Sequence, residues 1–160
     1  MDQLNDALVS LRQIMRAADL NARKLAKETG LSISQLLVLQ AIEQSTDLTA
    51  GEIAKEVNLT QATISSLLDR LEQRELVHRV RGAADRRKVY VALTETGRAL
   101  LSSAPEALHD RFSDRFLKLE TWEQSMMVAV LQRVTGMMEA SDIDAAPVLD
   151  AGKIDRTPLS

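Results

Sequence analysis

Residues 59–72 read LTQATISSLLDRLE. The apolar residues of this stretch recur three or four positions apart, which places them on one face of an α-helix. The opposite face carries short neutral side chains and one arginine, namely Gln61, Thr63, Ser65, Ser66 and Arg70. Such side chains can bond to base edges and phosphates of DNA, which would repel carboxylates. The alternative is a polar helix face that contacts only solvent.

A shorter helix and a tight turn are predicted just before this stretch. Thr49 and Glu52 have the spacing of a capping box, so a helix starts there and directs Ile53 inward. Asn58 then interrupts the helical pattern, and Thr60 is placed to cap the next helix. Two short helices joined in this way form a helix-turn-helix, whose second helix enters the major groove of DNA.

A basic β-hairpin is predicted after the second helix. Residues 76–81 are rich in β-branched residues, residues 82–87 form a turn, and residues 88–93 alternate, with Val89, Val91 and Leu93 on one face. From Arg70 to Lys88 the chain holds seven lysines and arginines against three acids, a net charge of +4, whereas the whole chain carries −3. A basic patch on an otherwise acidic chain indicates a polyanionic partner. We therefore interpret the hairpin as a DNA-binding wing.

Composition excludes several kinds of site. The chain has 160 residues and no cysteine, which rules out disulfides, thiolate catalysis, thiol redox sensing and cysteine-ligated zinc. His78 and His109 are its two histidines, so we expect no metal site and no cofactor. There is no signal-peptide pattern and no apolar run near the ~20 residues of a membrane span. We expect a soluble cytoplasmic protein without a membrane partner.

Amphipathic helices are predicted at both ends of the chain. Apolar residues recur with helical spacing from Leu4 to Leu25, and Gly30 is a stop signal for that helix. A second helix opens with a capping box at Ser32. Beyond the wing, Thr94 is placed to cap a further helix, and Pro105 predicts a kink or break near Ala104.

The last predicted helix opens with a T-x-x-Q box at Thr121 and runs to about Met138. It is apolar on more than one side, which indicates burial from two directions. The terminal helices carry more apolar surface than one winged unit can cover. This predicts a homodimer built from them, and the alternative is an ordinary monomeric core.

We therefore expect a mainly α fold with a small β-hairpin wing, in the α+β class, in which a winged helix-turn-helix lobe lies between dimerisation helices. The expected domains are an N-terminal dimerisation helix (1–30), the DNA-binding lobe (31–94), C-terminal dimerisation helices (95–140) and a flexible tail (141–160).

Residues 60–72, 75–77 and 85–97 resemble the MarR family of winged-helix transcription regulators. Residues 85–97 carry the pattern D-R-R-x-x-x-V-x-L-T-x-x-G, and the resemblance covers about residues 4–139. It implies a homodimer with interleaved terminal helices and one winged lobe per subunit. It also implies that residues 60–74 form the recognition helix.

The resemblance further implies individual roles in binding double-stranded DNA. Gln61, Ala62, Thr63 and Ser66 would face bases, and Ser65 and Arg70 would lie nearer the backbone. Arg87 would enter the minor groove and Asp85 would brace it, while Asp85 is equally well explained as a turn residue. The expected DNA-binding residues are Thr60, Gln61, Ala62, Thr63, Ser65, Ser66, Arg70, Arg74, Asp85, Arg86 and Arg87.

Family members often sense small ligands in a cleft between the dimer helices and the winged lobe. Candidates to line such a cleft are Arg16, Arg23, Gln35 and His109, which are otherwise solvated or structural residues. Residues 8–12 and 144–150 are similar to the CosR-type regulators of compatible-solute genes, such as those for ectoine. That similarity implies a response to osmotic or ionic conditions.

The function expected from these features is sequence-specific transcription regulation, most simply repression at a pseudo-palindromic operator. An enzyme finds little support, because the chain has no Gly-rich phosphate loop, no G-x-S-x-G motif and no nucleophilic cysteine. A third possibility is a helical protein-binding module that has lost DNA binding. The basic wing argues against that module.

Overall fold

The computed structural model describes residues 2–141, which fall into two compact units. The winged unit comprises the residues up to Pro105, and the second unit starts at Glu106. The winged unit contains α1 (Gln3–Thr29), α2 (Ile33–Gln44), β1 (Leu48–Thr49), α3 (Ala50–Glu56), α4 (Gln61–Gln73), β2 (Val77–Arg81), β3 (Val89–Leu93) and α5 (Glu95–Ser103), and the second unit contains α6 (Leu108–Phe116) and α7 (Thr121–Met137). The tail predicted from residue 142 onward, and segment 144–150 of the CosR-type similarity, lie outside the described residues.

The predicted fold class is confirmed, with one strand more than the sequence indicated. The three antiparallel strands lie in the order β1-β3-β2. β2 and β3 form the expected hairpin, paired from Val77 opposite Leu93 to Arg81 opposite Val89. β1 pairs Leu48 with Val91 on the other edge of β3. A two-residue strand shows no alternation in the sequence, so only its partner reveals it.

The core of the winged unit fixes the orientation of α4. The four residues of its apolar stripe, Ile64, Leu67, Leu68 and Leu71, are each at most 4% exposed. They join a core that includes Leu36 and Leu39 of α2 and Ile53 of α3. The predicted apolar face is thus confirmed for these four residues, whereas Leu59, also predicted on it, precedes α4 and is half-buried. Burying the four turns the neutral polar face of α4 toward solvent.

Local capping residues set the helix boundaries, as the sequence predicted. The Ser32 and Thr49 boxes both form, Thr60 accepts a hydrogen bond from the Thr63 N–H, and Thr94 accepts one from the Gly97 N–H. α1 ends before Gly30, and α5 ends at Ser103, before Pro105. These side chains satisfy N–H groups that the first turn of a helix leaves without partners.

The capping box predicted at Thr121 is wrong by one residue. Glu120 is the N-cap of α7, and the Glu123 carboxylate accepts the Glu120 N–H at 2.9 Å. The Gln124 amide donates instead to the Leu119 carbonyl at 2.9 Å. A glutamate and a glutamine at adjacent positions can each serve as the third residue of a box, so spacing alone did not distinguish them.

The turn between α4 and β2 packs directly against the start of α5. The Thr94 hydroxyl donates to the Glu75 carbonyl at 2.6 Å, and the Thr94 N–H donates to the Leu76 carbonyl at 3.1 Å. A Cβ added at Gly97 would lie 2.0 Å from the Leu76 carbonyl oxygen. The turn that follows α4 therefore approaches α5 at a distance that only a glycine allows.

Large apolar side chains remain exposed on the terminal helices of the described chain. On α1 they include Leu4, Ile14 and Met15. On α7 no residue is buried, and Trp122, Met126, Val130 and Met137 share one side of the helix at helical spacing. Contiguous apolar surface of this kind marks interaction sites. The division into dimerisation and DNA-binding segments stays a prediction.

Candidate nucleic-acid interface

The outward face of α4 presents the polar side chains named from the sequence. Gln61, Ala62, Ser65, Ser66 and Arg70 are exposed, whereas Thr63 is half-buried with its hydroxyl 2.8 Å from that of the exposed Thr60. The Ser65 hydroxyl donates to the Gln61 carbonyl at 2.9 Å. Within residues 2–141, the Gln61 amide and the Ser66 hydroxyl make no side-chain hydrogen bond, so both can bond to another molecule.

Two carboxylates on α4 are held by an arginine from the sheet. Arg79 on β2 donates to Asp69 at 2.6 Å and also to Glu72. The hydrogen bond to Asp69 raises the pKa of Arg79 above its ordinary value. The pairing offsets negative charge beside the outward face, where it would repel phosphates. Sequence reasoning missed this contact because it joins residues on different elements.

Arg74 connects the C-terminal end of α4 to the end of α1. Its guanidinium donates to the Gly30 carbonyl at 2.8 Å and to the Thr29 carbonyl at 3.1 Å. These carbonyls belong to the C-terminal end of α1, where a cation is favourable. Two of its N–H donors are thus used within the chain. The contact with DNA expected of Arg74 stays a prediction.

Hydrogen bonds close the turn at the tip of the wing, which carries two exposed arginines. The Asp85 carboxylate accepts the main-chain N–H of Arg87 at 2.9 Å, and the Asp85 carbonyl accepts the Lys88 N–H at 3.1 Å. A Cβ at Gly82 would lie 2.6 Å from the Asp85 carbonyl oxygen, so this approach requires glycine. Asp85 therefore shapes the turn, as its turn-residue interpretation predicted. Arg86 and Arg87 are exposed, and neither forms a salt bridge with any described residue.

The candidates for a ligand cleft have partners within their own segments. Arg16 and Arg23 both pair with Asp19, at 3.2 and 3.0 Å, and Gln35 completes the Ser32 capping box. In the second unit, His109 lies 3.2 Å from Asp110. These contacts support the structural interpretation of the four residues. Residues 2–141 contain no cluster of three or more side chains suited to bind a metal ion.

No helix in the described part of the chain has both the length and the apolar character to span a bilayer.

Comparisons with known proteins give a family and several relatives. The model of the MarR family matches residues 31–89. The transcriptional regulator HosA of Escherichia coli O157:H7 is 30% identical over 131 residues, which cover 81% of this chain and 95% of HosA. Because the 131 matched residues are more than the winged unit contains, the likeness extends beyond that unit.

Solved structures show the same fold. A MepR-like protein complexed with pseudoligands has a TM-score of 0.60 at 23% identity, covering 86% of this chain and 97% of that one. A point mutant of MepR from S. aureus, bound to an oligodeoxyribonucleotide, has a TM-score of 0.53 at 24% identity, covering 82% of this chain and 97% of that one.

Proposed function

This chain belongs to the MarR family of transcription regulators, and from that premise we propose that it is a homodimeric repressor of a pseudo-palindromic operator. Membership makes it a DNA-binding regulator and not an enzyme. In the proposed complex, α4 of each subunit enters the major groove and each wing enters a flanking minor groove. A dimer bound across a promoter would exclude the polymerase, which is the basis for repression.

The observation that carries the proposal is the combination of an outward polar face on α4 with a wing of exposed arginines. The Gln61 amide can donate and accept in one plane, which suits the edge of an adenine. An exposed guanidinium such as that of Arg87 suits a narrow, electronegative minor groove. The remaining residues proposed to contact DNA are those named from the sequence, with Arg74 limited to its unused donors.

A homodimer supplies the two-fold symmetry that a pseudo-palindrome requires. Two recognition helices about one helical turn apart would meet two half-sites. The exposed apolar sides of α1 and α7 are the surfaces proposed to join the subunits. Each half-site alone would be bound weakly, so dimerisation and operator affinity are linked.

Control by ionic conditions is part of the proposal. Each phosphate contact releases condensed counterions, so higher salt weakens binding steeply. An osmotic rise in ionic strength would therefore release the operator without a dedicated pocket. A small-molecule effector, of unknown identity, rests on the family resemblance alone.

The proposal is tested by a gel shift with DNA from upstream of the protein's own gene. Specific retardation, resistant to excess unrelated DNA, is expected for a regulator of this kind. Unchanged mobility at low salt, with the protein folded and dimeric, would instead indicate a protein-binding module. Footprinting of the retarded complex would then locate both half-sites.

Replacing Arg87 with alanine should weaken operator binding by about ten- to one-hundredfold for each half-site that the dimer occupies. A hydrogen bond to a charged group contributes ~1.5–3 kcal/mol, and Arg87→Ala removes the guanidinium while the main-chain bond to Asp85 remains. The dissociation constant is measured by fluorescence anisotropy. Arg98→Ala, an exposed arginine on α5, is the matched control and should bind normally. Unaltered affinity of the Arg87 variant would remove the wing from the mechanism.

Replacing Gln61 with alanine should change the preference among operator variants by about 1 to 3 kcal/mol at one base pair per half-site. The reason is that a bidentate amide distinguishes one base edge from the others. The measurement is a competition series in which each operator position is varied. Gln73→Ala, at the exposed end of α4, is the control. A uniform loss across all variants would assign Gln61 to phosphate.

A further inference from the structure

A groove lies beside the start of the recognition helix, entirely within the winged unit. Its volume is about 610 Å³, and its lining includes side chains from three separate segments. Thr49, Glu52 and Lys55 belong to the first helix of the helix-turn-helix and its cap, and Asn58 and Gln61 border the turn into α4. Lys88 comes from the tip of the wing, directly before β3. The groove therefore joins the two parts of the proposed DNA surface.

Two lysines give the groove a positive rim. Lys55 and Lys88 are both exposed, and neither forms a salt bridge with any described residue. Asn58 stands at the turn with a φ of 55°, and its side chain is exposed. Ammonium and amide groups of this kind bond to phosphate oxygens in DNA complexes without reading sequence.

The groove also contains one fixed carboxylate. Glu52 accepts the Thr49 N–H at 2.8 Å and the Thr49 hydroxyl at 2.7 Å. Those hydrogen bonds, with smaller effects of the Lys88 and Lys55 charges, lower the pKa of Glu52. Glu52 is thus ionised and held in place near neutral pH. With two lysines and one carboxylate, the groove carries a net charge of +1.

We propose that this groove is a phosphate site for the DNA strand that separates the major groove entered by α4 from the minor groove entered by the wing. The proposal rests on the proposed function. Gln61 lines the groove on the major-groove side, and Lys88 directly follows Arg87 of the wing. One sugar-phosphate backbone always lies between a major groove and its neighbouring minor groove. That backbone must pass between these two residues, where Lys55, Asn58 and Lys88 meet it.

In this arrangement Glu52 limits the sequence-independent part of the affinity. Its carboxylate repels the same phosphates that the lysines attract, and its fixed position prevents it from turning away. Removing the carboxylate should therefore strengthen binding to any duplex, whereas removing a lysine should weaken it. Opposite effects on DNA affinity at neighbouring positions are not expected of residues that only support the fold.

The test measures the affinity of Lys55→Ala, Lys88→Ala and Glu52→Gln for the footprinted operator and for a scrambled duplex, at several salt concentrations. Each lysine variant should bind both duplexes more weakly by a similar factor, about three- to tenfold, because phosphate contacts carry no sequence information. The slope of log affinity against log salt concentration should become shallower by roughly two per dimer, since each neutralised phosphate contributes ~0.9 to the magnitude of that slope. Glu52→Gln, whose amide oxygen can still accept from Thr49, should bind both duplexes about threefold more tightly than the wild type, in line with the removal of one repelling charge from each subunit.

Lys118→Ala is the matched control, since it removes an exposed lysine from the second unit, and its slope should equal that of the wild type. Thermal melting followed by circular dichroism verifies that every variant is folded. Wild-type slopes in both lysine variants, alongside specific binding by the parent protein, would overturn the phosphate site and leave the proposed function intact. Weaker binding by Glu52→Gln would also overturn it, since the groove would then be structural. Failure of the parent protein to bind its operator would remove the proposed function itself.

Discussion

The double substitution Met126→Glu and Val130→Glu is expected to give folded monomers whose operator affinity is about 10²–10⁴-fold lower, the range by which linking two binding units raises affinity. Both side chains are more than half exposed in the protomer, at 54% and 55%, so the fold of one chain loses little when they change. They lie one turn apart on α7 and share a side with Trp122. In the proposed dimer that side is covered, and burying unpaired carboxylates there is highly unfavourable.

Sedimentation velocity gives the oligomeric state, and circular dichroism reports whether the helices persist. The matched control is Met126→Leu with Val130→Ile, which keeps the same positions apolar and should remain dimeric. A dimer of undiminished affinity in the glutamate variant would show that this side of α7 is not the subunit interface.

Gly97→Ala is expected to lower the free energy of unfolding by about 3 kcal/mol or more, at the upper end of the cost of overpacking. The added methyl would lie 2.0 Å from the Leu76 carbonyl oxygen, and main chain cannot rotate aside as a side chain can. Relief requires α5 to move away from the turn that follows the recognition helix. That movement would also lengthen the hydrogen bonds that Thr94 donates to the Glu75 and Leu76 carbonyls.

Urea denaturation followed by circular dichroism measures the loss. Gly51→Ala on α3 is a strict control, because a Cβ there meets no atom within 4 Å. Alanine is favoured over glycine in a helix by about 0.5 to 1 kcal/mol, so the control should be as stable as the wild type or more so. Equal stabilities for the two variants would show that the turn and α5 adjust freely.

The features that the sequence predicted depend on neighbouring residues along the chain. The stripe of α4 from Ile64 to Leu71 follows the helical period, and the caps at Thr49 and Thr60 bond to residues three positions ahead. Helix position and facing were therefore predictable, as was the break before Pro105. At the start of α7, Glu123 and Gln124 could each have completed a capping box, and the predicted position of the box was wrong by one residue.

Contacts between elements left no such pattern. Arg79 on β2 donates to Asp69 on α4, and Arg74 donates to the Gly30 carbonyl at the end of α1. β1 exists as a strand only through its pairing with β3. The groove between Lys55 and Lys88 forms only when the helix-turn-helix and the wing fold together. Which of the expected DNA-binding residues touch bases stays a prediction.

The hydrogen bonds of Arg74 join a helix proposed to read DNA to a helix proposed to form the dimer. Its guanidinium links the C-terminal end of α4 to the final carbonyls of α1 through two hydrogen bonds. In the proposed dimer, a displacement of α1 against the neighbouring subunit would be passed through these hydrogen bonds to α4, the helix proposed to enter the major groove. The distance between the two recognition helices would then depend on how the subunits pack against each other.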